Sequence, residues 1–132
     1  MYGSMTNAAK AYAQVGTETG VAAASPHQLI VLLYEGLERW LTVARFAIMQ
    51  SKIPEKCKAF DKTQAILEEL RVSLDREKGG EIASNLDQLY EYMSMRLLEA
   101  NLKNSLEGLA EVQKLAGEIH GAWKAIGPNA KP

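Results

Sequence analysis

Residues 25–48 read SPHQLIVLLYEGLERWLTVARFAI, and this stretch decides the fold class. Ser25 can accept a hydrogen bond from a free first-turn amide, Pro26 suits the first helical position, and Gln28 stands at the spacing of a reciprocal capping box. Beyond this start the apolar residues fall on two overlapping rows. Leu29, Leu33, Gly36, Trp40, Val43 and Ala47 form one, and Ile30, Leu37, Leu41, Ala44 and Ile48 the other. Steps of three and four predict an α-helix over about 26–50, and an apolar arc this wide needs several neighbours.

Three further segments can supply them. Pro54 opens a second helix, expected over about 54–76, in which Phe60, Thr63, Leu67, Leu70 and Leu74 make a bundle-facing seam. Gly79-Gly80 is read as breaking or bending the chain after it. A third helix then starts near Glu81 and runs to about Asn101, with Ile82, Leu86, Leu89, Met93, Leu97 and Ala100 as its core stripe. Tyr90, Tyr92, Met95, Leu98 and Leu102 fall partly outside that stripe, so the helix carries more apolar surface than one seam uses. Asn104 followed by Glu107 repeats the capping-box spacing and predicts a fourth helix over about 105–125. Its stripe is Leu109, Val112, Ala116, Ile119, Trp123 and Ile126, and Gly127-Pro128 ends it. Short connections between four amphipathic helices predict an all-α fold: an antiparallel up-down four-helix bundle with an additional N-terminal arm or short helix. The expected organisation is a mobile arm at 1–24, one bundle domain at 25–127 and a C-terminal tail at 128–132.

Composition narrows the function. The chain has 132 residues, 47% of them hydrophobic and 23% charged, with a net charge of -1, so it has no positive field with which to recruit nucleic acid. Cys57 is the single cysteine, which excludes an internal disulfide and favours a cytoplasmic setting. The longest strongly apolar run, Leu29 to Tyr34, is far short of the roughly 20 residues that cross a bilayer, so no direct membrane insertion is expected. The first residues have neither the basic start nor the apolar stretch of a secretory signal.

Catalytic chemistry is poorly served. His27 and His120 are the only histidines and belong to different helices; His27 is expected to face solvent or bond locally, and His120 to be structural. No Glu-x-x-His, His-x-x-x-His or Cys-x-x-Cys spacing offers a metal site, and Lys78-Gly79-Gly80 lacks the phosphate-loop signature. The chain is therefore read as a non-enzyme with no cofactor. What remains is surface. Gly117 and Gly121 lie four apart on one face of the fourth helix, where they either let a neighbouring helix approach closely or form a shallow trough for a partner segment. Tyr92, Met95 and Leu102 are the expected exposed anchors for an amphipathic peptide helix, since adaptable Met and rigid Tyr suit such a surface. In the arm, Tyr2, Met5, Tyr12 and Val15 are too few to form a core, and Tyr12 could dock in a groove until a ligand displaces it.

These pieces carry a resemblance. Met1-Tyr2, Ala11-Tyr12-Ala13-Gln14-Val15, Ser25-Pro26-His27-Gln28-Leu29-Ile30, Leu33-Tyr34-Glu35-Gly36, Glu77-Lys78-Gly79-Gly80-Glu81-Ile82-Ala83 and Arg96-Leu97-Leu98-Glu99-Ala100-Asn101 occur in this order, followed by Asn104 and Ala122-Trp123. In this series the sequence resembles the flagellar protein FliS family, flagellin-specific export chaperones. The resemblance implies a helical bundle that binds the C-terminal region of flagellin in the cytoplasm and blocks its premature polymerisation. It also implies that the complex is delivered to the export gate of the flagellar type III apparatus. The tyrosine segment around Tyr12 is implied to cover the empty bundle and gate recognition. A homodimer of the unliganded chain is a further expectation, from the excess apolar surface. The alternative is a helical adaptor regulating another flagellar export substrate or an anti-sigma factor.

Overall fold

Ser25 caps the first helix through both arms of the expected box: its hydroxyl accepts from the Gln28 amide at 3.1 Å, and its own amide donates to the Gln28 side chain at 2.8 Å. The computed structural model describes residues 25–126. The arm with Tyr2, Met5, Tyr12 and Val15, and the tail, lie outside the described residues. Four helices follow one another: α1 Pro26–Met49, α2 Ile53–Val72, α3 Arg76–Lys103 and α4 Leu106–Ala125. The linkers span only residues 50–52, 73–75 and 104–105, so each helix must reverse direction on its predecessor. α1 packs on α2 and α4, and α3 packs on α2 and α4, which closes the ring of an antiparallel bundle. Leu33, Leu37 and Leu41 of α1, Phe60, Leu67 and Leu70 of α2, Met93 and Leu97 of α3, and Leu109 and Val112 of α4 fill its centre, each fully buried.

Two expectations need correction, and a third gains detail. Gly79-Gly80 does break the helical path as read, but only after one new turn of helix has begun. Asp75 caps α3 by accepting from the Lys78 amide at 3.0 Å, a first turn forms, and the break is a kink inside α3 at Gly80, whose φ of +50° is open to glycine. Asn104 is not the cap of α4. It ends α3 in the left-handed conformation, and Ser105 accepts from the Gly108 amide at 3.0 Å instead. Two cap-competent residues stood side by side, and the side chain at the second reaches the third amide. Finally, the core stripe of α3 shifts by one residue at two positions: Ala83 and Tyr90 are buried and Ile82 and Leu89 exposed, while Met93, Leu97 and Ala100 are buried as read. Tyr90 turns inward because its hydroxyl finds a partner there, that of Tyr34 on the diagonal helix. At the end of the α4 stripe Ile126 is exposed as well, beyond the last helical residue, as is Val43 on α1.

Polar side chains tie the helices along the seams. Gln64 of α2 donates to the Ser94 carbonyl of α3 at 2.8 Å, and Arg71 meets Asp87 at 2.9 Å, with Arg76 on the same carboxylate. Hydrogen bonds from Arg71 and Arg76 hold the Asp87 carboxyl below its ordinary range. Ser51, in the α1–α2 linker, has a φ of +54° without being glycine. Such a backbone costs an L residue roughly 1–2 kcal/mol, so Ser51→Gly is expected to stabilise the bundle by about 1 kcal/mol after glycine's own entropy is counted. Chemical denaturation checks this, and an unchanged midpoint would show the linker to be unstrained.

Candidate functional site

Opposite its core stripe, α3 carries a continuous apolar row on the outside of the bundle. Tyr92, Met95, Leu98 and Leu102 are 45%, 66%, 56% and 77% exposed. Their spacing of three, three and four keeps them on one side of the helix. The three expected anchors therefore lie together, and Leu98 completes the row between two of them. Sequence spacing could have found Leu98, because Met95, Leu98 and Leu102 stand at i, i+3 and i+7. Leu106 extends the exposed apolar surface across the α3–α4 linker.

A charged cluster fixes one edge of this row. The Tyr92 hydroxyl donates to Oε2 of Glu111 on α4 at 2.6 Å, and Arg96 Nε donates to Oε1 of the same carboxylate at 2.6 Å. Arg96 also pairs with Glu99 on its own helix. Hydrogen bonds from Tyr92 and then Arg96 hold the Glu111 carboxyl below its ordinary range, and the same bond pushes the Tyr92 phenol up. The consequence is an aromatic ring already restrained before any partner arrives, which reduces the ordering cost of binding.

Gly117 and Gly121 sit elsewhere. The α4 glycine that faces α3 is the buried Gly108, where an added Cβ would lie 3.3 Å from Arg96 Nη1 and 3.4 Å from the Ala100 Cβ. Gly117 is nine residues further on, two and a half turns of a 3.6-residue helix, and so points away from α3. A Cβ at Gly117 or Gly121 would meet nothing within 4 Å. These two glycines are thus not packing aids; they leave an open, side-chain-free strip on a face of α4 that the α3 row does not share. Interior helical glycine costs about 1 kcal/mol relative to alanine. Gly117→Ala and Gly121→Ala are each expected to raise stability by about that amount, while Gly108→Ala, which crowds Arg96 and Ala100, gains less. Thermal unfolding of the three variants would expose a different order.

Both histidines are structural, and His27 is not where the sequence suggested. It is buried, and its Nε2–H donates to the Trp123 carbonyl at 2.9 Å while Trp123 Nε1–H donates to the His27 carbonyl at 3.2 Å. The two rings stack with centroids 5.2 Å apart, so the start of α1 is clasped to the end of α4. Ninety-six residues separate the pair, which no local pattern reveals. His120 stacks on Tyr34 and its Nδ1–H donates to Glu38 Oε1 at 3.0 Å. Among the described residues no three His, Cys, Asp or Glu side chains gather as a metal site. No helix among them is long and apolar enough to cross a membrane.

The helical ring and its apolar row can be set beside known proteins. The family described as Flagellar protein FliS matches residues 8–130, nearly the whole chain. The chain belongs to the FliS family. Its similarity to the flagellar secretion chaperone FliS of Salmonella typhimurium is 48% identity, over 92% of this chain and 90% of that protein. The flagellar secretion chaperone FliSB of Pseudomonas aeruginosa is also 48% identical, over 90% of this chain and 94% of the relative. FliS of Bacillus subtilis is 33% identical over 81% of the chain and 79% of its own length. FliS membership makes the chain a chaperone of flagellar secretion, not an enzyme, and its partner an export substrate.

Proposed function

We propose that this chain binds the C-terminal region of flagellin in the cytoplasm, keeps it from polymerising before export, and accompanies it to the export gate of the flagellar type III apparatus at the membrane. The observation that carries this reading is the exposed row Tyr92, Met95, Leu98 and Leu102 on a FliS-family bundle. A helix-forming segment that would otherwise associate with copies of itself needs its apolar stripe covered. Four exposed side chains on one face of one helix offer such a cover. The open strip at Gly117 and Gly121 supports a second contact, where a ligand backbone can approach α4 with no side chain in the way. Residues 25–127 act as the binding domain. The arm at 1–24 covers the row in the empty protein through Tyr2, Met5, Tyr12 and Val15, and the unliganded chain can pair with a second copy through the same surface.

The test is calorimetric titration of the full chain with the C-terminal segment of its cognate flagellin, beside a Tyr12→Ala variant. One-to-one saturable binding with a negative heat-capacity change is expected, from coupled folding and apolar burial. Tighter binding by the variant would support the covering arm. Absence of binding at tens of micromolar would sink the flagellin assignment and bring forward an adaptor for another export substrate.

A further inference from the structure

At the end of the bundle where the α1–α2 and α3–α4 linkers meet, a cavity of about 280 Å³ opens among Ala47, Ile48, Ser51, Lys52, Ile53, Lys56 and Asn104. It lies off the α3 row, and two features give it a chemical character. Its apolar walls come from Ala47, Ile48 and Ile53, while its only charged lining residues are Lys52 and Lys56. No acid lines it; Glu55 is on the same first turn of α2 but outside the lining. Lys56 is held in place, since its ammonium donates to the Asn101 carbonyl at 3.2 Å and to Asn104 Oδ1 at 2.8 Å. An ammonium has three N–H donors, so one is left over. The Lys52 ammonium has no acceptor or acid partner among the described residues.

The lining decides between possible occupants. An apolar wall beside two ammonium groups suits an apolar side chain and a negative charge held close together. An acidic side chain beside an apolar neighbour needs two residues. A chain terminus carries an apolar side chain and a carboxylate on one Cα. We propose that this cavity is a docking site for the carboxyl-terminal residue of a partner polypeptide, with its apolar side chain against Ile48 and Ile53 and its carboxylate against the ammonium groups of Lys52 and Lys56. Charge complementarity supplies the orientation, because a neutral end would leave both lysines without a counter-charge. The site does not depend on the flagellin reading, and its failure would leave the α3 row untouched.

N-acetyl-leucine is the minimal probe of such a terminus. Titrated into the isotopically labelled full chain, it is expected to shift the backbone amide signals of Ala47, Ser51, Ile53 and Asn104 with saturation in the low millimolar range. N-acetyl-leucinamide, which lacks the charge, should bind at least fivefold more weakly. Lys52→Gln should remove that preference without changing the melting temperature, whereas Lys56→Gln also loosens the tie to Asn101 and so is the less clean variant. Equal affinity for acid and amide would overturn the proposal. So would acetate binding as tightly as N-acetyl-leucine, which would reduce the cavity to the site of an adventitious ion only.

Discussion

Replacing Met95 and Leu102 together by glutamate is expected to weaken binding of the flagellin C-terminal segment by about a hundredfold while leaving the fold intact. Both side chains are mostly in water in the free protein, at 66% and 77% exposure, so their loss opens no cavity. Glutamate is also as good a helix former as the residues it replaces, and exposed substitutions of this kind usually stay within about 0.5 kcal/mol. Binding is different. Fully burying a Leu or Met side chain is worth roughly 1.5–3 kcal/mol, and the double variant both forgoes that and asks two carboxylates to leave water without partners. Even a partial share of these terms reaches about 2.7 kcal/mol, a factor of about 100. Calorimetry of the variant beside Ala65→Glu, a charge added on the exposed side of α2, separates a local effect from a general one. A loss below threefold, or an equal loss in the control, would remove the α3 row from the binding site. Leu98→Ala should lie between wild type and the double variant, since it shortens the row without charging it.

That row was only half legible in the sequence, for a physical reason. Periodicity fixes that α3 is a helix and that it has surplus apolar surface, but a stripe and its neighbour one residue away fit the same pattern. Which one turns inward depends on tertiary partners. Periodicity puts Tyr90 partly outside the core stripe and Leu89 within it, and the Tyr34 hydroxyl draws Tyr90 inward instead. The helix starts were more accessible because caps act over three residues: the box at Ser25 and Gln28 stands as read, and the fourth helix is displaced by one residue because Asn104 and Ser105 can both cap. Long-range contacts left no trace. Nothing near His27 foretells Trp123, and nothing near Gly108 distinguishes it from Gly117, although one glycine packs against Arg96 and the other faces open space. The exposure of Tyr92, Met95 and Leu102 is legible because it follows from an excess of apolar residues, whereas the cavity between the linkers depends on two turns meeting and is not legible from either.

The tyrosine pair that sets the rotation of α3 yields the second large effect. Tyr34→Phe and Tyr90→Phe are each expected to destabilise the bundle by about 2 kcal/mol, and the double variant to lie within about 1 kcal/mol of wild type. The two hydroxyls bond to each other across the core, and both rings are buried. Removing one leaves the other buried without its partner, which costs about 1–3 kcal/mol; removing both leaves an apolar contact of nearly the same shape. Phenylalanine at 34 keeps the ring that stacks on His120 at 5.7 Å, so the comparison isolates the hydroxyl. At 4–8 °C per kcal/mol for a domain near 100 residues, each single variant should melt roughly 10 °C lower. Alkaline pH gives an independent reading. Burial pushes the Tyr90 phenol up to about 12, and Tyr34 well above its ordinary value through burial and then its neighbour. A raised folded-state pKa means the stabilisation is complete below the unfolded value near 10 and is lost as pH rises from there towards 12. Over that window wild type should lose roughly 1 kcal/mol or more per pH unit from the pair. The double phenylalanine variant has neither group to ionise, so between pH 10 and 12 its stability should overtake that of wild type. Parallel decline of the two proteins would mean that the hydroxyl pair is not what holds α1 and α3 in register.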